Sequence, residues 1–82
     1  MQFTDHGREY RTVRASDSKR NGLALELVAM REGKTVAEVF YSDATGEFTV
    51  SVFERDVPLT VIEHLTQAAR IALLPEKKVH GI

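Results

Sequence analysis

Apolar and polar residues alternate along the chain up to about residue 54, and turn-forming residues divide this region into four segments. A period of two is typical of β-strands that bury one face. The predicted strands are residues 10–15, 23–30, 35–41 and 48–54. We take residues 1–8 before them to be a flexible N-terminal arm.

The pattern changes to a helical period after Pro58, which suits a first helical turn. Thr60 with Glu63 predicts a capping box, and Pro75 predicts an end near Leu74, followed by a tail over residues 75–82. The apolar stripe consists of Val61, Ile62, Leu65, Ala68, Ala69, Ala72 and Leu73. We therefore predict a single α+β domain, a four-stranded antiparallel β-meander followed by one C-terminal α-helix packed on one face (β-β-β-β-α).

Two turn sequences predict the register of the central strands. Gly33 suits the positive-φ position of a three-residue hairpin loop, which would pair Met30 with Lys34 and Val28 with Val36.

The second turn, residues 43–46, allows a three-residue or a four-residue loop. The four-residue loop pairs Tyr41 with Phe48 and keeps the apolar rows continuous, so we prefer it. Gly46 then takes positive φ, and the Asp43 side chain is expected to accept hydrogen bonds within its own turn. Both turns define one core face, which the helix should cover: Leu23, Leu25, Leu27, Ala37, Val39, Tyr41, Phe48, Val50 and Val52, with Val13 joining from the first strand.

The opposite face of the predicted sheet is also partly apolar, although a solvated face normally alternates to polar residues. Large exposed apolar patches usually mark interfaces, and an open sheet also exposes its edge strands. We therefore predict a homodimer that uses this face or an exposed edge. The candidate interface residues are Val28, Met30, Val36, Phe40 and Phe53. The alternative is that the N-terminal arm or the tail shields this face.

Two glutamates, Glu26 and Glu38, face each other on this second face, and like charges opposite each other destabilise a sheet unless they are compensated. A register that places Val13 beside Leu27 would bring Arg14 beside Glu26 as the compensating charge. A metal site needs further ligands beyond two carboxylates, and acid/base chemistry needs a pocket that separates their pKa values. We expect no catalytic, cofactor or metal site here.

Composition narrows the functional classes further. The chain has 82 residues, a net charge of −1 and no cysteine, which excludes disulfides and thiolate chemistry. The three histidines lack metal-ligand spacing. The polar N-terminus and the lack of a run near the roughly 18 apolar residues of a membrane span predict a cytoplasmic protein without membrane partners.

These observations favour a small non-enzymatic interaction or regulatory module that acts as a homodimer. The alternative is a single-stranded nucleic-acid-binding protein, because basic and aromatic residues interleave on the first strand and its loop, as a strand-binding groove requires. The candidate contacts are Arg8, Tyr10, Arg11, Arg14, Lys19 and Arg20. Four acidic residues on or near the same sheet oppose this alternative, because they would repel phosphate: Glu26, Glu38, Glu47 and Glu54.

Overall fold

A computed structural model describes residues 1–74, which form an antiparallel β-sheet followed by one helix. The strands lie side by side in chain order: β1 (Gln2–Asp5), β2 (Arg8–Asp17), β3 (Gly22–Ala29), β4 (Lys34–Ser42) and β5 (Phe48–Val52). The helix α1 (Leu59–Ala72) packs on one face of this sheet. The α+β prediction is confirmed, with five strands rather than four. The predicted tail over residues 75–82 lies outside the described residues.

The additional strand, β1, lies within the segment predicted to be a flexible arm. It pairs with β2 through a two-residue turn, in which His6 and Gly7 have φ values of 50° and 80°. Positive φ at both central residues is typical of a type I′ hairpin turn. The Phe3 ring of β1 stacks on Tyr10 of β2, with ring centroids 5.4 Å apart. The prediction of a flexible arm was therefore wrong for this hairpin.

Helix α1 buries the predicted apolar stripe against the sheet. Val61, Leu65 and Ala69 are fully buried, as is Leu73 just after the helix, and all four belong to the core cluster formed with β3 and β4. The predicted capping box is absent from the helix N-terminus, where no side chain caps the backbone. Thr60 instead donates its hydroxyl to the carboxylate of Asp5 over 2.7 Å. The helix is thus tied to the first hairpin.

The β4–β5 hairpin has the predicted register. Tyr41 pairs with Phe48, and Gly46 has a φ of 74° at the last loop position. The Asp43 side chain was expected to accept hydrogen bonds from the loop backbone. The hydroxyl of Ser42 does so instead, because it accepts a hydrogen bond from the N–H of Thr45. Asp43 contributes its backbone N–H, which donates over 3.0 Å to a carbonyl in the loop before β3.

A β-bulge changes the pairing between β3 and β4. Val28 pairs with Thr35 rather than with Val36, which becomes the extra residue and lies fully buried in the core cluster. The loop before β4 contains four residues instead of three, so Lys34 does not pair with Met30 as predicted. The bulge moves Val36 away from the second face, where the alternating pattern had placed it.

The β2–β3 register differs from the predicted one by one residue. Val13 pairs with Glu26, and Arg14 pairs with Leu25. A shift of one residue turns every side chain of a strand to the other face. Arg14 therefore lies on the helix side of the sheet, as does Tyr10, whose side chain is only 1% exposed. The predicted pairing of Arg14 with Glu26 was wrong.

Candidate interaction surface

Glu38, one of the two glutamates on the second face, is compensated by Arg20, which the sequence patterns did not single out for this role. From the loop between β2 and β3, its guanidinium donates to both carboxylate oxygens of Glu38, over 3.3 and 2.9 Å. It also donates to Asp17 over 2.5 Å, and these hydrogen bonds hold the pKa of the Asp17 carboxyl below its ordinary value. The same guanidinium lies 4.2 Å from the centroid of the Phe40 ring.

Arg14 makes a different contact on the helix side. Its Nε donates to the carbonyl oxygen of Ala72 over 3.2 Å, close to the end of α1. Glu26 is half buried and forms no ion pair within the part of the chain that the structure describes. Of the three charges predicted to interact, only Glu38 therefore has an ionic partner among these residues, and that partner is Arg20.

The five candidate interface residues do not form one exposed patch. Val36 lies in the core, Val28 and Phe40 are buried, and Met30 is half buried. Only Phe53 is well exposed, at 58%. Phe40 is buried although no layer of secondary structure covers this face within residues 1–74, because the Arg20 side chain lies across its ring.

The candidate nucleic-acid contacts also do not converge on one groove. Tyr10 is buried and cannot stack on a base, and Arg8 and Arg20 are already engaged by carboxylates. Arg11 and Arg14 lie three residues apart in β2, at an odd and an even position, and so point to opposite faces. Lys19 is exposed in the loop that follows.

The most exposed apolar part of the sheet is its last strand. Val50 and Val52, which were predicted to lie beneath the helix, are 49% and 48% exposed. Five strands span about 19 Å at a spacing near 4.8 Å, whereas a helix is about 10 Å wide, so one helix covers only part of the sheet. The prediction that α1 covers the whole core face was therefore wrong at β5.

Three contacts join α1 to the first hairpin, β1–β2. Thr60 donates to Asp5 of β1, the His64 ring lies 4.6 Å from the Phe3 ring of β1, and the carbonyl of Ala72 accepts a hydrogen bond from β2. Among residues 1–74, α1 makes no hydrogen bond to β5, and its contact with that strand includes the Arg70 guanidinium over the Phe48 ring.

We call the apolar residues of this region the β5 surface; it consists of the exposed Val50, Val52 and Phe53 and the half-buried Phe48. A groove of about 150 Å³ separates it from α1, with Thr66 and Arg70 on the helix side. The Arg70 guanidinium lies 5.6 Å from the centroid of the Phe48 ring. The groove therefore has a mainly apolar floor with one cation at its rim.

The free edge of β5 also carries unpaired backbone groups. Ser42 donates to the carbonyl of Glu47, and Phe53 donates to the carbonyl of Val36, so the odd-numbered residues of this strand bond to β4. Alternate residues of an antiparallel strand direct their backbone groups to opposite sides. The N–H and C=O groups of Phe48, Val50 and Val52 therefore point to the open edge, and the side chains of Val50 and Val52 are exposed there.

The segment after β5 is fixed by an ion cluster. Both carboxylate oxygens of Glu54 accept hydrogen bonds from Arg8, over 2.6 and 3.1 Å, and Lys34 lies 3.6 Å away. These contacts, above all the hydrogen bond from Arg8, hold the pKa of Glu54 below its ordinary value. The cluster anchors the chain where it leaves the sheet for the helix.

No group of three or more histidine, aspartate or glutamate side chains within residues 1–74 is arranged to hold a metal ion. No helix in this range has the length and apolar character needed to cross a bilayer.

The exposure of β5 could have been anticipated from the sequence by comparing the width of one helix with that of the sheet. The role of Arg20 had no comparable signal, because it depends on the conformation of a loop.

Comparison of the chain with protein-family models, with curated proteins and with solved structures gives no match.

Proposed function

We propose that this chain is a small, non-enzymatic interaction module that works as a homodimer, and that the β5 surface is its contact. The observation that carries the proposal is the coincidence of two features on one strand. Val50 and Val52 expose about half of their side chains, and the backbone groups of the same residues face an unpaired edge. Exposed apolar edge strands are the sites at which sheets add a further strand.

The two edge strands of the sheet, β1 and β5, differ in how well they are protected against pairing with another strand. Edge strands that are protected against pairing are short or carry polar and charged residues or proline. β1 has four residues, among them Gln2, Thr4 and Asp5. β5 has the sequence FTVSV, with no charge and no proline. The β5 edge is therefore the one suited to association.

Chain size supports the same conclusion. A domain of 82 residues lies near the lower end of the range in which one core stabilises a fold alone. A second copy that covers Val50 and Val52 would add buried apolar area where the single helix cannot reach.

The titratable groups support a non-enzymatic role. Within residues 1–74, the carboxyl groups whose pKa departs from its ordinary value all have a lowered pKa, through hydrogen bonds with His6 and Thr60 at Asp5 and with arginines at Asp17 and Glu54. A carboxylic acid that serves as a proton donor near neutral pH needs the opposite shift. Surface ion pairing accounts for these groups.

We rank single-stranded nucleic-acid binding second. Tyr10 is buried and two of the six candidate residues are held in ion pairs, which leaves no continuous path of cations and aromatic rings. Titration with labelled single strands at low salt should give no binding; affinity with a steep salt dependence would reverse this ranking.

Multi-angle light scattering over a range of concentrations tests the proposed function. The unmodified chain should approach twice its monomer mass of 9.2 kDa as its concentration rises. Val50→Lys should shift this transition to higher concentration by tenfold or more while the far-UV circular dichroism stays unchanged. Ile71→Lys is the matched control, because Ile71 is an equally aliphatic residue, 85% exposed on α1, and should leave the mass profile unaltered. A chain that stays monomeric at millimolar concentration would refute the proposal.

A further inference from the structure

We infer that two copies of the chain join β5 to β5 in an antiparallel pair, with the two-fold axis at Val50, to form one continuous sheet of five strands from each copy. This inference rests on the homodimer proposed above and specifies its register. It follows from the three outward-facing residues of β5 and from the side chains that each register would place together.

The backbone groups favour this register over its neighbours. Phe48, Val50 and Val52 are the residues of β5 whose N–H and C=O groups face the open edge. With Val50 opposite Val50 of the second copy, Phe48 lies opposite Val52 of the second copy, so all three residues pair within the strands. A shift in either direction leaves one outward residue opposite the loop before β5 or the turn after it. Only the central register therefore satisfies all of these groups.

The side chains match in the same register. On the helix side, valine meets valine at the axis, and Phe48 meets Val52 of the second copy. On the other side, Thr49 lies opposite Ser51 of the second copy. Glu47 lies opposite Phe53 of the second copy, so the ladder contains no pair of like charges. Within β5, apolar side chains meet apolar ones and hydroxyl groups meet hydroxyl groups; the pair of Glu47 with Phe53 lies at the ends of the ladder.

The helices leave room for this arrangement. A two-fold axis perpendicular to the sheet places both copies of α1 on the same side. Because α1 packs on β3 and β4, its axis lies about two strand spacings from the two-fold axis, which separates the two helices by about 19 Å. Packed helices approach to about 8–10 Å, so the two helices do not collide. The apolar side chains of both β5 strands lie in the space between them.

The absence of cysteine from the chain allows a direct test, in which single cysteines are placed at consecutive positions of β5. Val50→Cys should form a disulfide-linked dimer under mild oxidation. Residues opposite each other in a hydrogen-bonded antiparallel pair have Cα atoms about 5.5 Å apart, within the range of about 4.4–6.8 Å that disulfides span.

The neighbouring positions provide matched controls. In this register each Thr49 lies two residues away from Thr49 of the second copy, at about 8 Å, which is too far for a disulfide. Thr49→Cys and Ser51→Cys chains should therefore not cross-link with themselves. A mixture of the two variants should cross-link, because Thr49 faces Ser51 of the second copy.

The outcomes separate this inference from the proposed function. If Thr49→Cys or Ser51→Cys cross-links with itself and Val50→Cys does not, the axis lies elsewhere and the register is overturned. If no position of β5 cross-links while light scattering shows a dimer, the chain is a homodimer but the pairing of β5 with β5 is refuted. If light scattering shows a monomer at every concentration, both fall together.

Discussion

Replacing Leu65 by alanine tests the packing that leaves β5 exposed. Leu65 lies at the centre of α1, is fully buried, and belongs to the core cluster with residues of β3 and β4. Leu65→Ala removes apolar atoms from a closed site, so the cost combines the lost transfer free energy with that of the cavity left behind. Ile71 lies on the same helix but is 85% exposed, and it serves as the control.

The expected loss is large relative to the total stability. Leucine-to-alanine changes at buried sites lower the free energy of unfolding by about 2–5 kcal/mol, and the complete burial of Leu65 places it at about 3–4 kcal/mol. At about 0.05–0.15 kcal/mol per residue, a chain of 82 residues has a total of about 4–12 kcal/mol. For a domain of this size the melting temperature falls by about 4–8 °C per kcal/mol, so Leu65→Ala should lower it by about 12–32 °C.

The assay is thermal unfolding followed by far-UV circular dichroism, at one fixed chain concentration because association changes apparent stability. Ile71→Ala should change the free energy of unfolding by no more than about 0.5 kcal/mol. A Leu65→Ala loss below about 1 kcal/mol, or an equal loss in both variants, would mean that α1 presents a different side to the sheet.

Three further outcomes are expected. Gly22→Ala should prevent stable folding, because a Cβ atom there would fall 2.0 Å from the carbonyl oxygen of Tyr41, and chemical denaturation of the variant would show this. The pKa of Glu54 is lowered in the folded state, so the free energy of unfolding should fall as the pH drops below the ordinary value of this pKa, near 4.5. Glu54→Gln should therefore be less stable than the unmodified chain at pH 7. Thermal melts should show this difference shrinking toward pH 3. A double-mutant cycle on Arg20 and Glu38 should give a favourable coupling that decreases with salt, whereas strict additivity of the two changes would contradict their bidentate contact.

The predicted features that the structure confirms depend on local periodicity. The helical stripe around Leu65 and the alternating rows of β4 and β5 each repeat over several turns or residue pairs, so tertiary contacts only reinforce them. The four-residue loop ending at Gly46 followed from the same patterns, because the alternative register would have mixed charged and apolar residues in one row.

The features that were missed depend on single residues or on loop conformation. The His6-Gly7 turn lacks the asparagine or aspartate that usually marks a type I′ turn, so β1 was taken for an arm. The bulge at Val36 leaves no sign in an alternating pattern. The β2–β3 register depends on how a polar loop closes, and Asn21 at a φ of 57° closes it one residue away from the expected position.

The candidate site could be predicted only in outline. An exposed strand edge was one of the two surfaces proposed from the sequence, but of the five residues named for the interface only Phe53 belongs to the β5 surface. Phe40 looks exposed by alternation and is covered by Arg20 from a distant loop. Val50 looks buried by alternation and is 49% exposed, because one helix covers only part of a five-stranded sheet. Both outcomes depend on contacts between segments that are distant in sequence, which the alternation along a single strand does not show.

The most direct test of the β5 surface is amide hydrogen exchange at Val50 as a function of chain concentration. Its N–H group faces the open edge, whereas the N–H groups of Thr49 and Ser51 face β4 and provide internal references. If β5 pairs with β5, the exchange of Val50 should be fast in dilute solution and should slow as dimers form, while the two references change little. An exchange rate of Val50 that stays fast across the concentration range in which the chain associates would contradict the account.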